Sequence, residues 1–238
     1  MREDVDPSDA GDAADQTDAA DPTGPADSAV DAVCAAYELK DERRTGWQLR
    51  GVDDPESVAA NSWGGAYLVV AFGDRFCDEL PGVDLDRALR LAVVHDAAEA
   101  LTGDVATRAD ETADPIDCEA KAAAEREAMA TLADPLPVRI ADAFATYEAR
   151  ETPEAVLVKE CDLLDTCVQA VVYEREDRYD PATGDPTAFT EYDALDEFFA
   201  TTEQRLQTDA GRVLFDRLRA RYRHHRAATN DEAGSTGR

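Results

Sequence analysis

The stretch from Leu85 to Leu101 is the most apolar part of the chain, yet it carries three ionisable side chains, His95, Asp96 and Glu99. Its length and composition predict a central, largely buried helix that ends at Gly103. On a continuous helix these three polar groups can share one edge. Their burial is costly unless they pair with one another or bind an ion. Any fold of this chain therefore contains either a satisfied core histidine with acidic neighbours or an ion site.

The other apolar segments also repeat at helical spacing, and no segment alternates convincingly as a strand. The sequence therefore predicts an all-α fold. The segment ERRTGWQLRGVDDP is polar and interrupted by glycine, which predicts a loop. The predicted helices begin at Ser28 and Pro55, continue at about 115–132, 135–148 and 153–174, and end with a region at 189–224 that is broken near Gly211.

Both ends of the chain differ in composition from the part between them. Residues 1–27 hold eight Asp and three Pro, and apart from Met1 they offer no apolar side chain larger than Val5. Such a segment cannot bury enough surface to offset the entropy of ordering it. We predict a disordered acidic tail over 1–27, one domain over 28–226 and a second disordered tail over 227–238.

The charge of the chain limits its partners. With 53 Asp and Glu against 24 Lys and Arg, the formal net charge is −29. A surface this negative repels phosphate backbones and anionic lipid, so we expect neither a nucleic-acid polymer nor a membrane as partner. Abundant Asp with only three Lys is typical of proteins from salt-loving organisms such as haloarchaea, although an ordinary acidic protein is the alternative.

The five cysteines are widely spread and form no CxxC pair. This spacing argues against a disulfide framework or a thiolate zinc site. It favours small buried residues in a reducing cytoplasm. No apolar run is long enough for a transmembrane helix.

Further candidates for chemistry lie outside the apolar stretch. Asp162 sits in an otherwise apolar helix and needs a partner if it is buried, whereas Asp165 in the same helix could simply face solvent. Asp104 follows Gly103 and is either functional or a loop carboxylate or cap.

A second candidate is a group of cationic and aromatic residues in this very acidic chain, formed by Arg43, Arg44, Trp47 and Arg50. Arginines beside an indole suit a phosphate and a flat or sugar-like group. The alternative is a tethered surface loop.

Three segments occur in a recognisable order: RTGWQLRGVDDPESVAANSW, LAVVHDAAEALTGDVATR and EAVLVKECDLLDTCVQAVVYE. Together they resemble the HD-domain metal-dependent phosphohydrolases, and within them most closely the 5′-deoxynucleotidase branch. The resemblance covers about residues 29–175 and is weaker to about 222. It implies an HD-domain helical bundle.

The resemblance also implies a divalent metal ion, Mn²⁺, Co²⁺ or Mg²⁺. The family holds it with a His of the PESVA helix, the His-Asp dyad and a later helical Asp. Here the last three positions are His95, Asp96 and Asp162, but the first is Asn61, and the acidic residue that commonly precedes it is Ala60. An amide oxygen is a hard neutral donor that suits Mg²⁺ or Mn²⁺ better than softer ions. Three hypotheses stay open: a weakened metal site, a nucleotide-binding protein without turnover, or an introduced Asn in a naturally active protein.

For the substrate, the resemblance implies Glu99 in acid-base chemistry or positioning, and Asp104 near the attacking water. It implies Trp47 against the deoxynucleotide and Arg44 or Arg50 on the phosphate, although Gly46 stands where the bacterial pattern has an Arg.

The predicted function is therefore metal-dependent hydrolysis of deoxyribonucleoside 5′-monophosphates to deoxynucleoside and phosphate. The alternatives are a degenerate relative that binds a nucleotide or a partner without turnover, and a helical interaction protein with no small-molecule site. The resemblance further implies a homodimer, to which the long C-terminal helices can contribute. We expect a cytoplasmic location.

Overall fold

The computed structural model describes residues 24–106, 118–180, 182–186 and 192–236. Within these ranges the chain forms ten α-helices, two short 3-10 turns and two isolated β-bridges, and it forms no strand. The predicted N-terminal tail lies outside the described residues up to position 23. The helices are α1 (Pro25–Ala36), α2 (Thr45–Leu49), α3 (Val58–Phe72), α4 (Leu85–Val94), α5 (Glu99–Thr102), α6 (Cys118–Ala133), α7 (Arg139–Ala149), α8 (Pro153–Glu176), α9 (Asp196–Glu203) and α10 (Asp209–Thr236).

Helix α8 forms the centre of the bundle, because α3, α4, α7, α9 and α10 all pack against it. It begins where the Thr152 hydroxyl accepts the amide of Ala155, with Pro153 in the first turn, where a missing N–H costs nothing. Its apolar side chains, such as Leu157 and Leu164, are almost fully buried. The predicted all-α bundle is confirmed.

The predicted helix over Leu85–Leu101 is wrong in one respect that concerns the site. Helix α4 ends at Val94, a turn follows over His95–Ala98, and the short α5 begins at Glu99. Within this turn the amide of Glu99 donates to the carbonyl of Asp96, three residues earlier. Gly103 ends α5 with a φ of 76°, as its position predicts.

Other boundaries also differ from the prediction. Helix α3 begins at Val58, after Ser57 caps it, and not at Pro55. The first helix begins at Pro25, the last continues to Thr236, and the one-turn α2 lies inside the predicted loop.

The last helical region is interrupted at 204–208 and not at Gly211, which lies inside α10. A Cβ on Gly211 would lie 2.0 Å from Oε2 of Glu160. That buried carboxylate accepts hydrogen bonds from the amides of Gln207 and Thr208 and from the Thr208 hydroxyl. Gly211 therefore allows a close approach between α8 and the start of α10.

Two expectations from composition have separate outcomes. Among the described cysteines none forms a disulfide, but Cys34 and Cys77 are exposed, so the prediction of buried cysteines is wrong for these two.

In the described ranges no helix has both the length and the apolar character needed to cross a bilayer.

Helix α2 is attached to the core through Trp47, which is 2% exposed. Its indole Nε1 donates to Oε1 of Glu56 over 3.0 Å, and its ring packs against Tyr173 and Phe198 at centroid distances of 5.2 and 3.8 Å. Burial raises the pKa of Glu56 to about 7, although the hydrogen bond from Trp47 and the charge of Arg44 lower it. The contact that anchors α2 thus includes a carboxyl held away from water.

We predict that Glu56→Gln removes a pH-dependent loss of stability. The pKa of Glu56 is raised from 4.5 to about 7 on folding, so the unfolded chain releases this proton first as the pH rises. The free energy of unfolding therefore falls between these two pH values. Relative to Glu56→Gln, which keeps the acceptor for Trp47, the wild type should lose about 2–3 kcal/mol between pH 5 and pH 8. Urea unfolding at both pH values measures this difference.

The matched control is Glu127→Gln, which makes the same change in charge on the exposed face of α6. An equal pH effect from both substitutions would contradict the burial of the Glu56 carboxyl as its cause.

Candidate active site

A cavity of about 250 Å³ opens between α2, the turn after α4, α7, α8 and α9. Seven of the nine residues predicted for the site line it: Arg44, Trp47, His95, Asp96, Glu99, Asp104 and Asp162. The remaining two, Arg50 and Asn61, are not among the lining residues. The fold therefore brings together side chains that lie more than a hundred residues apart in the chain.

The polar centre of the cavity is a group formed by His95, Asp96 and Asp162. Their potential ligand atoms all lie within 4.8 Å of one another. Nε2 of His95 is 3.0 Å from Oδ2 of Asp96 and 3.8 Å from Oδ1 of Asp162. Nδ1 of the same ring lies 2.9 Å from the carbonyl of Ala92, so with a proton on Nδ1 the Nε2 lone pair faces both carboxylates.

This arrangement requires a positive charge between the three residues. Burial alone lowers the pKa of His95, but the carboxylates of Asp96 and Asp162, which favour the protonated ring, raise it well above its ordinary value. A metal cation supplies the same positive charge in place of the proton.

Asn61 is 1% exposed and points one end of its amide at a carboxylate. Its Nδ2 donates to Oδ2 of Asp165 over 3.0 Å, while its buried Oδ1 has no hydrogen-bond partner among the described residues. A buried acceptor without a donor is costly unless a cation faces it. Asp165 is also buried, so the expectation that it could simply face solvent is wrong.

The donor set fits a divalent metal ion. The imidazole nitrogen of His95 and the carboxylates of Asp96 and Asp162 make a mostly hard set, as Mg²⁺ and Mn²⁺ prefer. Nζ of Lys159 lies 2.8 Å from Oδ2 of Asp162, and the other oxygen of that carboxylate, Oδ1, faces His95.

Arg44 supplies a partly buried cation among the carboxylates of the cavity. Its guanidinium lies 3.5 Å from Oδ1 of Asp104. Burial alone lowers the pKa of Arg44, but Asp104, Asp162 and Asp96 together raise it. Arg44 therefore stays charged and accessible to an anionic substrate.

Asp104 holds the start of α2. Its carboxylate accepts the amide of Thr45, and its carbonyl accepts the Thr45 hydroxyl over 2.7 Å. Its own amide donates to Glu42 over 3.1 Å. Asp104 thus acts as a helix cap, which the sequence analysis kept open as the alternative to a functional role. It also lines the cavity and pairs with Arg44 there.

Glu99 is 7% exposed, and its Oε2 has no hydrogen-bond partner among the described residues. Burial, together with the charges of Asp96 and Asp104, raises its pKa to about 9, although Lys121 lies 3.8 Å away. This shift favours the protonated form of the carboxyl, which can donate a proton.

Arg50 does not reach the cavity. Its Nη2 donates to the carbonyl of Tyr192, and burial lowers its pKa. Of the two arginines proposed for the phosphate, only Arg44 is therefore placed to meet a substrate there.

Several lining residues were missed in the sequence analysis, among them Lys121, Tyr147, Arg150, Lys159 and Phe198. Lys159 carried a usable signal, because it precedes Asp162 by three residues in the motif VKxxD. No sequence signal pointed to Arg150. In the structure its guanidinium lies 3.4 Å from the ring centroid of Tyr147, and its buried Nη1 has no hydrogen-bond partner among the described residues.

Comparisons with known proteins agree with this site. The chain is 31% identical over 203 residues to the 5′-deoxynucleotidase HDDC2 of Danio rerio, covering 84% of this chain and 90% of that protein. It is 32% identical over 146 residues to the 5′-deoxynucleotidase hdd1 of Schizosaccharomyces pombe, covering 58% of this chain and 68% of that protein.

The fold also matches solved structures. The PH0347 protein of Pyrococcus horikoshii superimposes with a TM-score of 0.60 at 27% identity, covering 82% of this chain and 98% of that one. The model of the HD domain family matches residues 36–202, a region that holds His95, Asp96 and Asp162 and every residue lining the cavity except Arg205. The resemblance of the three motifs is thereby confirmed, and the chain belongs to the HD domain family.

Proposed function

We propose that this chain is a divalent-metal-dependent phosphohydrolase that cleaves the 5′-phosphate of deoxyribonucleoside monophosphates. The observation that carries the proposal is the close grouping of His95, Asp96 and Asp162 in a cavity that Arg44 also lines. The names of the similar proteins from Danio rerio and Schizosaccharomyces pombe support the nucleotide as substrate.

The metal would be held by Asn61, His95, Asp96 and Asp162. When bound, a divalent ion supplies a water of lowered pKa and polarises a phosphoryl oxygen. The carboxylates also keep this centre electrostatically unfavourable for a phosphate unless cations neutralise it. In this chain the ammonium group of Lys159 pairs with Oδ2 of Asp162 and offsets part of this negative charge.

The phosphate would be bound by Arg44, and Arg150 offers a second guanidinium with an unused Nη1. Guanidinium groups in these positions can neutralise the negative charge that the phosphoryl group gains in the transition state. In its protonated form Glu99 can give a proton to the leaving 5′-oxygen, and burial beside Asp96 and Asp104 raises its pKa to about 9. Asp104 would act mainly by holding Arg44 and α2 in place.

The apolar wall would contact the nucleoside. Phe198 covers part of Trp47, and both rings line the cavity with Leu163. Because Trp47 is 2% exposed, it presents an edge of the cavity and not an open stacking surface. A cavity of about 250 Å³ suits a mononucleotide better than a polymer.

The second candidate function is nucleotide binding without turnover, and Asn61 is the observation that favours it. Without an imidazole at this position, the metal would be held by a weaker set of ligands. The cavity and its cations would still bind a nucleotide.

We predict that the wild type releases phosphate from deoxyribonucleoside monophosphates with Mn²⁺ or Mg²⁺ at high salt, and more slowly from ribonucleotides. Asn61→His should raise activity with Co²⁺ at least about tenfold, since imidazole is the better ligand for that ion. Arg44→Met should lower kcat/KM by about 10²–10³. A phosphate-release assay over a panel of nucleotides and metals measures all three.

The control is Arg43→Met, because Arg43 lies outside the lining of the cavity and pairs with exposed Asp54. Nucleotide binding with no phosphate release by either the wild type or Asn61→His would favour the second candidate function. If neither protein binds or cleaves any nucleotide of the panel, the proposal is rejected.

We also propose that the chain forms a homodimer. Helix α3 exposes Trp63, Tyr67 and Val70 by 68%, 57% and 66%. Beside them a groove of about 1000 Å³ runs between α3, α8 and α10, with Leu214 and Leu218 on its α10 wall. An exposed apolar area of this kind marks an interaction surface.

If two copies pair about a two-fold axis, this face of one copy meets the same face of the other. Four arginines also line the groove, namely Arg75, Arg175, Arg217 and Arg221. A cytoplasmic location and a halophilic source stay predictions from composition.

We predict a mass of twice 25.8 kDa in light scattering at high salt. Trp63→Glu should raise the dimer dissociation constant at least about 30-fold, because it places a charge in the middle of the apolar face. Val138→Glu is the matched control, since Val138 is 73% exposed at the start of α7. A monomeric wild type, or equal dissociation of both variants, would reject this interface.

A further inference from the structure

We infer that Asp165 is a positioning residue that holds Asn61 in the one amide orientation in which its oxygen is available to the metal. The inference rests on the proposed metal-dependent function and assigns a role to a carboxylate outside the group of ligands. Asp165 lies one helical turn after Asp162 on α8, is 8% exposed and does not line the active-site cavity.

The first step is the chemistry of the amide. A carboxylate oxygen accepts hydrogen bonds, and only the nitrogen end of Asn can donate one. The contact of 3.0 Å between Nδ2 of Asn61 and Oδ2 of Asp165 therefore determines which end of the amide points toward Asp165. The oxygen end must point elsewhere, and it is this buried Oδ1 that has no donor among the described residues.

The second step is electronic. An oxygen that accepts from Nδ2, whether it belongs to a carboxyl or to an amide group, polarises the amide of Asn61 and raises the electron density on its oxygen. Groups that hydrogen-bond to metal ligands in this way orient them and strengthen their binding. A neutral Asn at a ligand position gains most from such a partner, because it has no charge of its own.

The third step is the space that the fold reserves for Asp165. A Cβ on Gly64 of α3 would lie 2.1 Å from Oδ1 of Asp165. The next residue, Gly65, is different, since its Cβ would meet the backbone of Asp162 at an ordinary 3.6 Å. Gly64 thus provides the room that the Asp165 carboxylate occupies, next to the helical turn that carries Asn61.

The test measures Mn²⁺ binding directly, by electron paramagnetic resonance of free Mn²⁺ and by calorimetry, without substrate. Asp165→Leu should raise the dissociation constant about 10–100-fold. Asp165→Asn, whose amide oxygen can still accept from Asn61, should stay within about threefold of the wild type. In the Asn61→Ala background, Asp165→Leu should cause no further loss, because its effect passes through Asn61.

A second pair of variants leaves every polar group in place. Gly64→Ala should weaken Mn²⁺ binding about tenfold or more by displacing the Asp165 carboxylate, whereas Gly65→Ala should not. Thermal unfolding in a chelator identifies any variant that fails to fold, and the glycine pair then decides the question.

Wild-type Mn²⁺ affinity in both Asp165→Leu and Gly64→Ala would overturn the inference. An equal loss in Asp165→Asn and Asp165→Leu would also overturn it, since charge and not orientation would then matter. So would a wild type that binds no Mn²⁺. Mn²⁺ binding that depends on Asp165 but is not accompanied by phosphate release would support the inference and reject the proposed function.

Discussion

The burial of carboxylates on a single helix determines how the rest of this molecule is arranged. Five other helices surround α8, so several of its acidic side chains are buried although such groups normally face water. Each has a specific partner. Glu160 accepts the backbone at the start of α10, Asp162 faces His95 and Lys159, and Asp165 accepts from Asn61. Because an unpaired buried charge is so costly, these partners fix where α3, α4 and α10 lie against α8.

The same constraint explains how the chain uses its few lysines. Only three occur in the sequence, and two of them, Lys121 and Lys159, line the active-site cavity. Each lies within 4.0 Å of a carboxylate that the proposed mechanism needs. Two of the three lysines of this chain therefore lie where an anionic substrate would bind.

Much of the architecture could be predicted from the sequence, because helical periodicity is a local property. The three motifs also identified the residues that meet in the cavity, since a motif preserves the spacing that its chemistry needs. The failures concern contacts that depend on distant segments. Packing between helices determines the turn that begins at His95, the burial of Asp165 and the attachment of Arg50 to Tyr192. The spacing of residues along the chain carries no information about such packing.

The attachment of Trp47 to Phe198 has a consequence for how such a site can change. The residues proposed to hold the metal lie on α3, in the turn after α4 and on α8, whereas Phe198 of α9 completes the apolar wall of the cavity. The two parts share no side chain. Alterations in α9 can therefore reshape the pocket for a different base or sugar while the reacting centre stays intact, which separates the evolution of selectivity from that of chemistry.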